Sequence, residues 1–258
     1  MLRSIADKCC LSKSMELIIP ELPPSPARMA AFMQSVVSFR VPQLPGVSCM
    51  RANFVVEAYD DVLFNDLGIE CPPGIRQSVR KRKAEYLAGR YLVAQLLTAR
   101  GWPAAVGTGA HREPLWPGGA VGSITHADSV AVAAVADDPA ISLLGIDFES
   151  WIDEALTTSL ALAVVDQGER ARAESGQLSA ARAFTLAFSA KESLFKALYP
   201  EVRAYFDFDK AELVSIDWSE RTFLLRIRTT LSKTVAAGCV FRGAFLPWAG
   251  GMFTVVAG

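Results

Sequence analysis

The sequence predicts an α+β fold, and three observations support that class. Two segments, at about 75–100 and 180–198, carry apolar residues at helical spacing. Two apolar segments joined by a short turn, at 121–126 and 130–135, are typical of a β-hairpin. Alternating segments typical of strands follow the second helix: 211–216, 222–228, 239–246 and 252–256. Helices grouped with antiparallel strands in this way indicate α+β architecture.

The composition excludes several classes of protein. The 258 residues carry a formal net charge of −1, which argues against a protein-wide surface for nucleic acid. The five cysteines are odd in number and form no CxxC pair, which favours free thiols and a cytoplasmic location. No apolar run approaches the roughly 18 residues of a membrane span. Residues 1–14 have no signal-peptide core, so we expect a loose leader, with Met15 as a second candidate start.

Three regions are expected along the chain. Residues 1–45 are predicted to be an N-terminal extension or arm, because four prolines between residues 20 and 26 prevent a helix or a central strand. The N-terminal half, 46–140, should contain a strand at about 47–58, the first long helix and the hairpin. The C-terminal half, 141–258, follows a turn-rich segment and should contain the second long helix, ending at Pro200, and the last four strands.

The first long helix begins with a cluster of basic residues: Arg76, Arg80, Lys81, Arg82 and Lys83. Such a cluster is often only a solvated face. Positive charge early in a helix opposes the helix dipole, however, which favours a role other than stability. Arg82 and Arg90 are eight residues apart, so both side chains can point toward one polyanion.

His126 ends the first strand of the hairpin, after Gly122-Ser123-Ile124-Thr125. A lone histidine is more often structural than catalytic. The small residues before this one allow close approach of a ligand to the backbone, which favours a functional position.

Two carboxylates follow one another on a predicted strand at Gly145–Glu149. Side chains at i and i+2 share a face of a strand, so Asp147 and Glu149 should project together. An Asp-x-Glu pair is often only a pair of exposed side chains without a functional role. Here it follows a buried apolar run, where two unpaired carboxylates repel each other unless a cation lies between them. A hard divalent ion such as Mg²⁺ fits oxygen ligands of this kind.

The second long helix carries the segment Phe188–Lys196. Glu192 and Lys196 are one turn apart and form, at the least, an exposed salt bridge. Together with the strand carboxylates they offer a third carboxylate and a phosphate-binding ammonium group. Phosphate chemistry on a metal ion is therefore the hypothesis that these motifs support jointly.

In order and spacing, these motifs resemble those of the Sfp-type 4′-phosphopantetheinyl transferases, and especially the subgroup that serves enterobactin synthesis. Trp116-Pro117 with Gly122–His126 matches the first family motif, Gly145–Glu149 the second, and Phe188–Lys196 the third without a gap. The basic helix is also similar to that subgroup. The resemblance covers about residues 50–205, and the third motif is highly specific.

The resemblance implies a monomer of two similar α/β halves in a pseudo-twofold arrangement, with the active site in the cleft between them. It implies transfer of phosphopantetheine from coenzyme A to a serine of an apo acyl, peptidyl or aryl carrier protein, with release of 3′,5′-adenosine bisphosphate. Siderophore, nonribosomal peptide or polyketide synthesis is the expected setting. Nucleic acid and a membrane span are not expected.

The resemblance also implies roles for individual residues. Mg²⁺, with Mn²⁺ as an alternative, would be held by Asp147, Glu149 and Glu192. The catalytic set would be Glu192, Lys196 and Asp147, with Glu192 also the candidate general base. The remaining roles concern coenzyme A, which would be bound by Arg82, Arg90, Arg112, Ser123, Thr125, His126, Lys191 and Lys196.

Two other classes of function stay open on the sequence. The same carboxylates suit a metal-dependent hydrolase of nucleotides or phosphate esters, which would need no carrier protein. A non-catalytic coenzyme A-binding module is the other alternative, although all three carboxylates and both lysines of the motifs are present.

Overall fold

A computed structural model describes residues 27–175 and 178–258 of the chain. The helices are α1 (Ala27–Phe32), α2 (Val62–Asp66), α3 (Pro73–Arg76), α4 (Arg80–Thr98), α5 (Glu154–Val164), α6 (Gln167–Glu174) and α7 (Ala180–Val202). The first strands are β1 (Met33–Val41), β2 (Leu44–Phe54), β3 (Gly107–Thr108), β4 (Pro114–Leu115), β5 (Gly122–Ala127) and β6 (Val130–Ala136). The later strands are β7 (Leu144–Ser150), β8 (Ala211–Asp217), β9 (Thr222–Ile227), β10 (Val240–Trp248) and β11 (Gly251–Ala257).

Two antiparallel sheets, each covered by one long helix, organise these elements. The first sheet has the order β1-β2-β6-β5 and packs against α4 through a core that includes Phe54 and Leu87. The second has the order β7-β11-β10-β9-β8 and packs against α7 through Leu194 and Phe223. The predicted mixture of helices with antiparallel strands is confirmed, including the hairpin and the last four strands.

A third core joins the two sheets. Phe39 and Val47 of the first sheet lie in one apolar cluster with Ile146, Phe148 and Phe253 of the second. Burial of large side chains at this contact is favourable by about 25 cal/mol per Å² of apolar surface. The strand edges that carry His126 and Asp147 are therefore held next to each other by packing.

The N-terminal region differs from the expected arm where it is described. Residues 27–32 are helical, and β1 pairs with β2 from Met33 opposite Phe54 to Val41 opposite Leu44. The prolines that suggested an arm all precede residue 27, and Phe39 and Val41 are buried apolar residues of a regular strand. Residues 1–26 of the expected arm lie outside the described residues.

Two helix boundaries also differ from the sequence-based expectations. The predicted helix from residue 75 is two helices, because Val79 is extended, with ψ 155°, between α3 and α4. The expectation that Pro200 ends the second long helix was wrong. Pro200 lies in the last turn of α7, where it removes a single backbone donor, and the helix ends at Arg203 in the left-handed conformation. No helix within the described residues is both long and apolar enough to span a membrane.

Candidate active site

A cavity of about 1120 Å³ opens between α4 and the end of α7. Its basic lining residues are Arg82, Arg90, His111, Arg112, His126, Lys196 and Arg203. Apolar and aromatic residues also line it, among them Tyr86, Leu115, Trp116, Phe195, Tyr199 and Tyr205, and two acidic residues, Glu85 and Glu113, lie there as well. A large cavity with several convergent cations and aromatic walls is suited to a phosphorylated ligand that also carries apolar groups.

Edge strands β5 and β7 meet beside this cavity through side chains. The Ser123 hydroxyl accepts a hydrogen bond from the Ile146 backbone N–H at 3.0 Å. The Thr125 hydroxyl accepts one from the Phe148 N–H at 3.3 Å. Ser123 and Thr125 are both buried. Their hydroxyl groups therefore join the two sheets through side chain–backbone hydrogen bonds.

Asp147 lies at this junction and is almost completely buried, with 2% of its surface exposed. Its Oδ1 accepts hydrogen bonds from the Thr125 hydroxyl at 3.0 Å and from the Lys196 ammonium at 2.6 Å. Its Oδ2 has no hydrogen-bond partner among the described residues. Lys196 lines the cavity as well, so it links the buried carboxylate to the basic cavity wall.

Glu149 and Glu192 are the other two carboxylates of the predicted site. Burial, and then the charge of Asp147, raises the pKa of Glu149 to about 8, with Glu192 adding to the repulsion. Burial also raises the pKa of Glu192, against the opposing effect of Lys196. The charge of Asp147 thus disfavours ionisation of both glutamates, which is a typical environment for a bound cation or for proton transfer.

Within the described ranges, no three His, Cys, Asp or Glu side chains are close enough to form a ready-made metal site. Asp147 is instead paired with Lys196. The donor chemistry nevertheless fits a hard cation, because Asp147 Oδ2 is buried without a partner among those residues and its two neighbours are oxygen donors under mutual repulsion. The metal site remains a prediction.

Arg90 is buried in the wall of the cavity, with 7% of its surface exposed. One guanidinium nitrogen, Nη2, donates to the Gly107 carbonyl at 3.0 Å and to the Thr108 hydroxyl at 3.1 Å. The guanidinium carbon lies 4.9 Å from the centre of the Tyr86 ring. The other terminal nitrogen, Nη1, has no acceptor among the described residues. Arg90 is therefore a rigidly held cation with free donor capacity.

Arg82, Glu85 and His126 form a second polar group on the same wall. Arg82 Nη1 lies 2.6 Å from His126 Nε2, and His126 Nδ1 lies 3.5 Å from a Glu85 carboxylate oxygen. A guanidinium group can only donate, so His126 Nε2 accepts and the ring proton is on Nδ1. Burial, and then the charges of Arg82 and Lys196, lower the pKa of His126 to about 4.

This environment predicts a pH dependence of stability. The pKa of His126 is about 4 in the folded protein, against an ordinary value of 6.5, so the unfolded chain binds more protons between those values. The contribution of the neutral ring is complete above pH 6.5 and is lost as the pH falls toward 4. As the pH falls over that range, we expect the wild type to lose free energy of unfolding relative to His126→Gln. Urea unfolding at several pH values measures it, and a constant difference would contradict the assignment.

Of three other predicted binding residues, Ser123 and Arg112 line the cavity and Lys191 does not. Lys191 does not line the cavity, since its ammonium group is buried against Glu169 on another side of α7. Its predicted contact with coenzyme A is corrected on that ground. Ser123 lines the cavity, but its hydroxyl group is occupied by the Ile146 N–H. Arg112 lines the cavity from an exposed turn, where its φ of 69° is in the left-handed region.

Several important contacts had no signal in the sequence. Thr108 and the Gly107 carbonyl position Arg90 from a two-residue strand that no pattern indicated. Glu169, the partner of Lys191, lies in a short polar helix. Trp116 packs so closely on Gly122 that a Cβ atom there would lie 2.4 Å from the indole ring, a contact that residue spacing does not predict.

Comparisons with known proteins give the family of the chain. A family model described as the 4′-phosphopantetheinyl transferase N-terminal domain matches residues 72–136. A second, described as the 4′-phosphopantetheinyl transferase superfamily, matches residues 143–239. The first range contains five of the seven basic lining residues, and the second contains Lys196, Arg203 and all three carboxylates.

Individual relatives match over shorter parts of the chain. Enterobactin synthase component D of Salmonella typhi is 39% identical over 143 residues, which are 55% of this chain and 59% of the relative. Enterobactin synthase component D of Escherichia coli (strain K12) is 37% identical over 123 residues, 48% of this chain and 58% of the relative. The 4′-phosphopantetheinyl transferase PptT of Mycobacterium tuberculosis is 32% identical over 160 residues, 60% of this chain and 69% of the relative. The chain thus spans less than two thirds of the enterobactin synthase relatives that it matches.

Proposed function

Because the chain belongs to the 4′-phosphopantetheinyl transferase superfamily, we propose that it transfers 4′-phosphopantetheine from coenzyme A to a serine hydroxyl of an apo carrier protein. The observation that carries the proposal is the position of Lys196. Its ammonium group contacts Asp147 at 2.6 Å and also lines the basic cavity. One side chain therefore joins a carboxylate cluster to a binding site for a polyanion.

The basic cavity wall would bind the phosphates of coenzyme A. Nη1 of Arg90 has no acceptor within residues 27–175 and 178–258, and the other contacts of this side chain fix its orientation before the ligand arrives. Arg82, whose Nη1 donates to the neutral ring of His126, is a further cation nearby. Arg112 adds a cation from the exposed turn. Together these groups would hold the 3′-phosphate and pyrophosphate and orient the bond that breaks.

The carboxylates Asp147, Glu149 and Glu192 would hold Mg²⁺, or Mn²⁺ as an alternative. The ion would supply neutralisation of the charge that develops on the pyrophosphate leaving group. Lys196 would stabilise negative charge on the phosphoryl group, because its Nζ already lies on the cavity side of Asp147.

Glu192 would take the proton of the attacking serine, since burial raises its pKa and so increases its basicity when it is ionised. The serine oxygen forms a bond to phosphorus, the pyrophosphate P–O bond breaks, and 3′,5′-adenosine bisphosphate leaves. The transferred proton stays on the Glu192 carboxylate until solvent removes it.

The finer features of the proposal concern architecture and partners. We infer two similar α/β halves related by a pseudo-twofold axis, with the site in the cleft between them, in a chain that acts as a monomer. The carrier would be an acyl, peptidyl or aryl carrier domain. The relatives named as enterobactin synthase component D favour a carrier of siderophore synthesis.

The test is the intact mass of an apo carrier protein after incubation with this protein, coenzyme A and Mg²⁺, with EDTA as the control. We expect a gain of one phosphopantetheine that depends on the metal. Cleavage of coenzyme A without a mass gain on any carrier would indicate the hydrolase instead. Binding of intact coenzyme A with neither transfer nor cleavage would indicate a non-catalytic module.

A further inference from the structure

Lys191 and Glu169 form a fully buried ion pair beneath α7. Lys191 Nζ lies 2.8 Å from Glu169 Oε1, and the two side chains are 2% and 1% exposed. The same ammonium group donates to the Val164 carbonyl at 2.7 Å and to the Phe208 carbonyl at 3.1 Å. An ammonium group has three protons, so all its donor capacity is used within the protein.

Glu169 is equally well satisfied. Its Oε1 also accepts from the Leu213 backbone N–H at 2.7 Å, and its Oε2 accepts from the Asp166 N–H at 2.9 Å as part of the cap of α6. The ion pair therefore connects α7 to the end of α5, the start of α6, the turn before β8 and β8 itself. The same elements also share an apolar core that includes Val164, Leu194 and Leu213, so the two charges lie within packed structure.

The position of Lys191 on α7 relates the Lys191–Glu169 ion pair, called the anchor below, to the active site. At about 100° per residue, Lys191 and Lys196 are separated by roughly 140° around the helix axis. The cavity side of α7 thus carries Lys196, and a different side carries the anchor. The face of α7 toward the sheet is also tightly fitted, since a Cβ at Gly145 would lie 1.9 Å from the Ser193 carbonyl. Rotation of α7 would move its site residues and break the anchor together.

We propose that Lys191 is a positioning residue: its ion pair with Glu169 fixes the rotation of α7 that brings Lys196 to Asp147 and holds Glu192 near the strand carboxylates. The catalytic part of this inference rests on the proposed function. Removal of either partner of a buried ion pair leaves an unpaired charge in the protein interior, which is strongly destabilising. For Lys191 to bind phosphate instead, it would have to leave Glu169 and both carbonyl acceptors.

Four variants test the proposal. Lys191→Met and Glu169→Gln each break the ion pair, and the double variant Lys191→Met/Glu169→Met removes both charges. Lys210→Met is the matched control, because Lys210 forms an ion pair with Asp209 that is largely exposed, 2.8 Å apart, in the turn before β8. Melting temperature, affinity for coenzyme A by calorimetry, kcat and KM for transfer, and amide hydrogen exchange along α7 are measured for each.

We expect each single variant to melt about 10 °C below the wild type. At a temperature where the variant and the wild type are both folded, kcat of the variant should be about 10- to 100-fold lower, because a small displacement of reacting groups slows the reaction strongly. The dissociation constant for coenzyme A should change by less than about twofold. Amide exchange in α7 should accelerate in both single variants, and the double variant should recover most of the melting temperature. Lys210→Met should resemble the wild type.

Two results would overturn the proposal. Weaker binding of coenzyme A in Lys191→Met but not in Glu169→Gln would make Lys191 a direct ligand. Unchanged kcat in folded Lys191→Met or Glu169→Gln would reduce the pair to a stability element. If Lys191→Met does not fold, Glu169→Gln and the double variant decide the same question. If the wild type itself transfers nothing, the proposed function fails, whereas hydrogen exchange of α7 still decides whether the pair fixes this helix.

Discussion

Replacement of Asp147 by alanine is expected to reduce phosphopantetheine transfer by about 1000-fold or more while the protein stays folded. Asp147 is the buried centre of the carboxylate group and the acceptor for both Lys196 and Thr125. Without it, Lys196 loses the contact that holds it at the cavity, and the proposed cation loses a ligand. Loss of one preorganised charge at a phosphoryl-transfer site typically costs about 100- to 1000-fold, and loss of the ion would cost more.

The variant should fold because the substitution relieves repulsion. The charge of Asp147 contributes, after burial, to the raised pKa of Glu149, so that pKa should fall from about 8 toward its ordinary range. Lys196 is 28% exposed and can turn toward water. Transfer is measured by intact mass of the carrier and folding by thermal melting. Asp209→Ala, an exposed carboxylate in an ion pair, is the control. Near-normal turnover of Asp147→Ala would refute the proposed carboxylate site.

Arg90→Ala is expected to raise the KM for coenzyme A by about 100-fold, with a smaller change in kcat. A buried, charge-assisted arginine–phosphate contact is stronger than an exposed one, and 100-fold corresponds to about 2.7 kcal/mol. Arg90 meets this condition, because it is buried and oriented by Gly107, Thr108 and Tyr86 while Nη1 keeps its donors. The contact is made in the ground state as well as in the transition state, so binding should suffer more than chemistry.

Calorimetric titration with 3′,5′-adenosine bisphosphate separates binding from turnover for this variant. The bisphosphate should lose affinity in parallel with coenzyme A if Arg90 contacts a phosphate common to both. Arg170→Ala, which breaks an exposed ion pair with Glu174, is the matched control and should bind like the wild type. An unchanged KM for coenzyme A in a folded Arg90→Ala protein would exclude the phosphate role.

Local patterns were sufficient to predict most of the fold. Alternation, helical spacing and short apolar runs identified α4, α7, the hairpin and the strands of the second sheet, because each of these patterns lies within one continuous segment of the chain. Strand β1 was not predicted, because the arm inferred from the prolines before residue 27 was extended to residue 45. The break at Val79 was missed because a short loop between two helices leaves the apolar spacing almost unchanged.

The candidate site was predictable only where its residues lie close together in the sequence. The spacing of Asp147 and Glu149 on a strand, and of Glu192 and Lys196 on a helix, specified each pair. Which of two neighbouring lysines faces the cavity could not be read from spacing alone. Lys191 and Lys196 look alike in sequence, and they differ because Glu169 lies beside the first and Asp147 beside the second. Contacts over such distances along the chain depend on tertiary packing.

The junction between β5 and β7 also affects how the protein behaves in solution. These strands are the terminal strands of their sheets, and an open terminal strand is a template for pairing with other chains. Here the Ser123 and Thr125 hydroxyl groups take up two N–H groups of β7, so each strand shields the other from aggregation. A fragment ending near residue 140 would expose β5, and its counterpart would expose β7. Separately produced fragments should therefore self-associate, whereas the intact chain protects both edges.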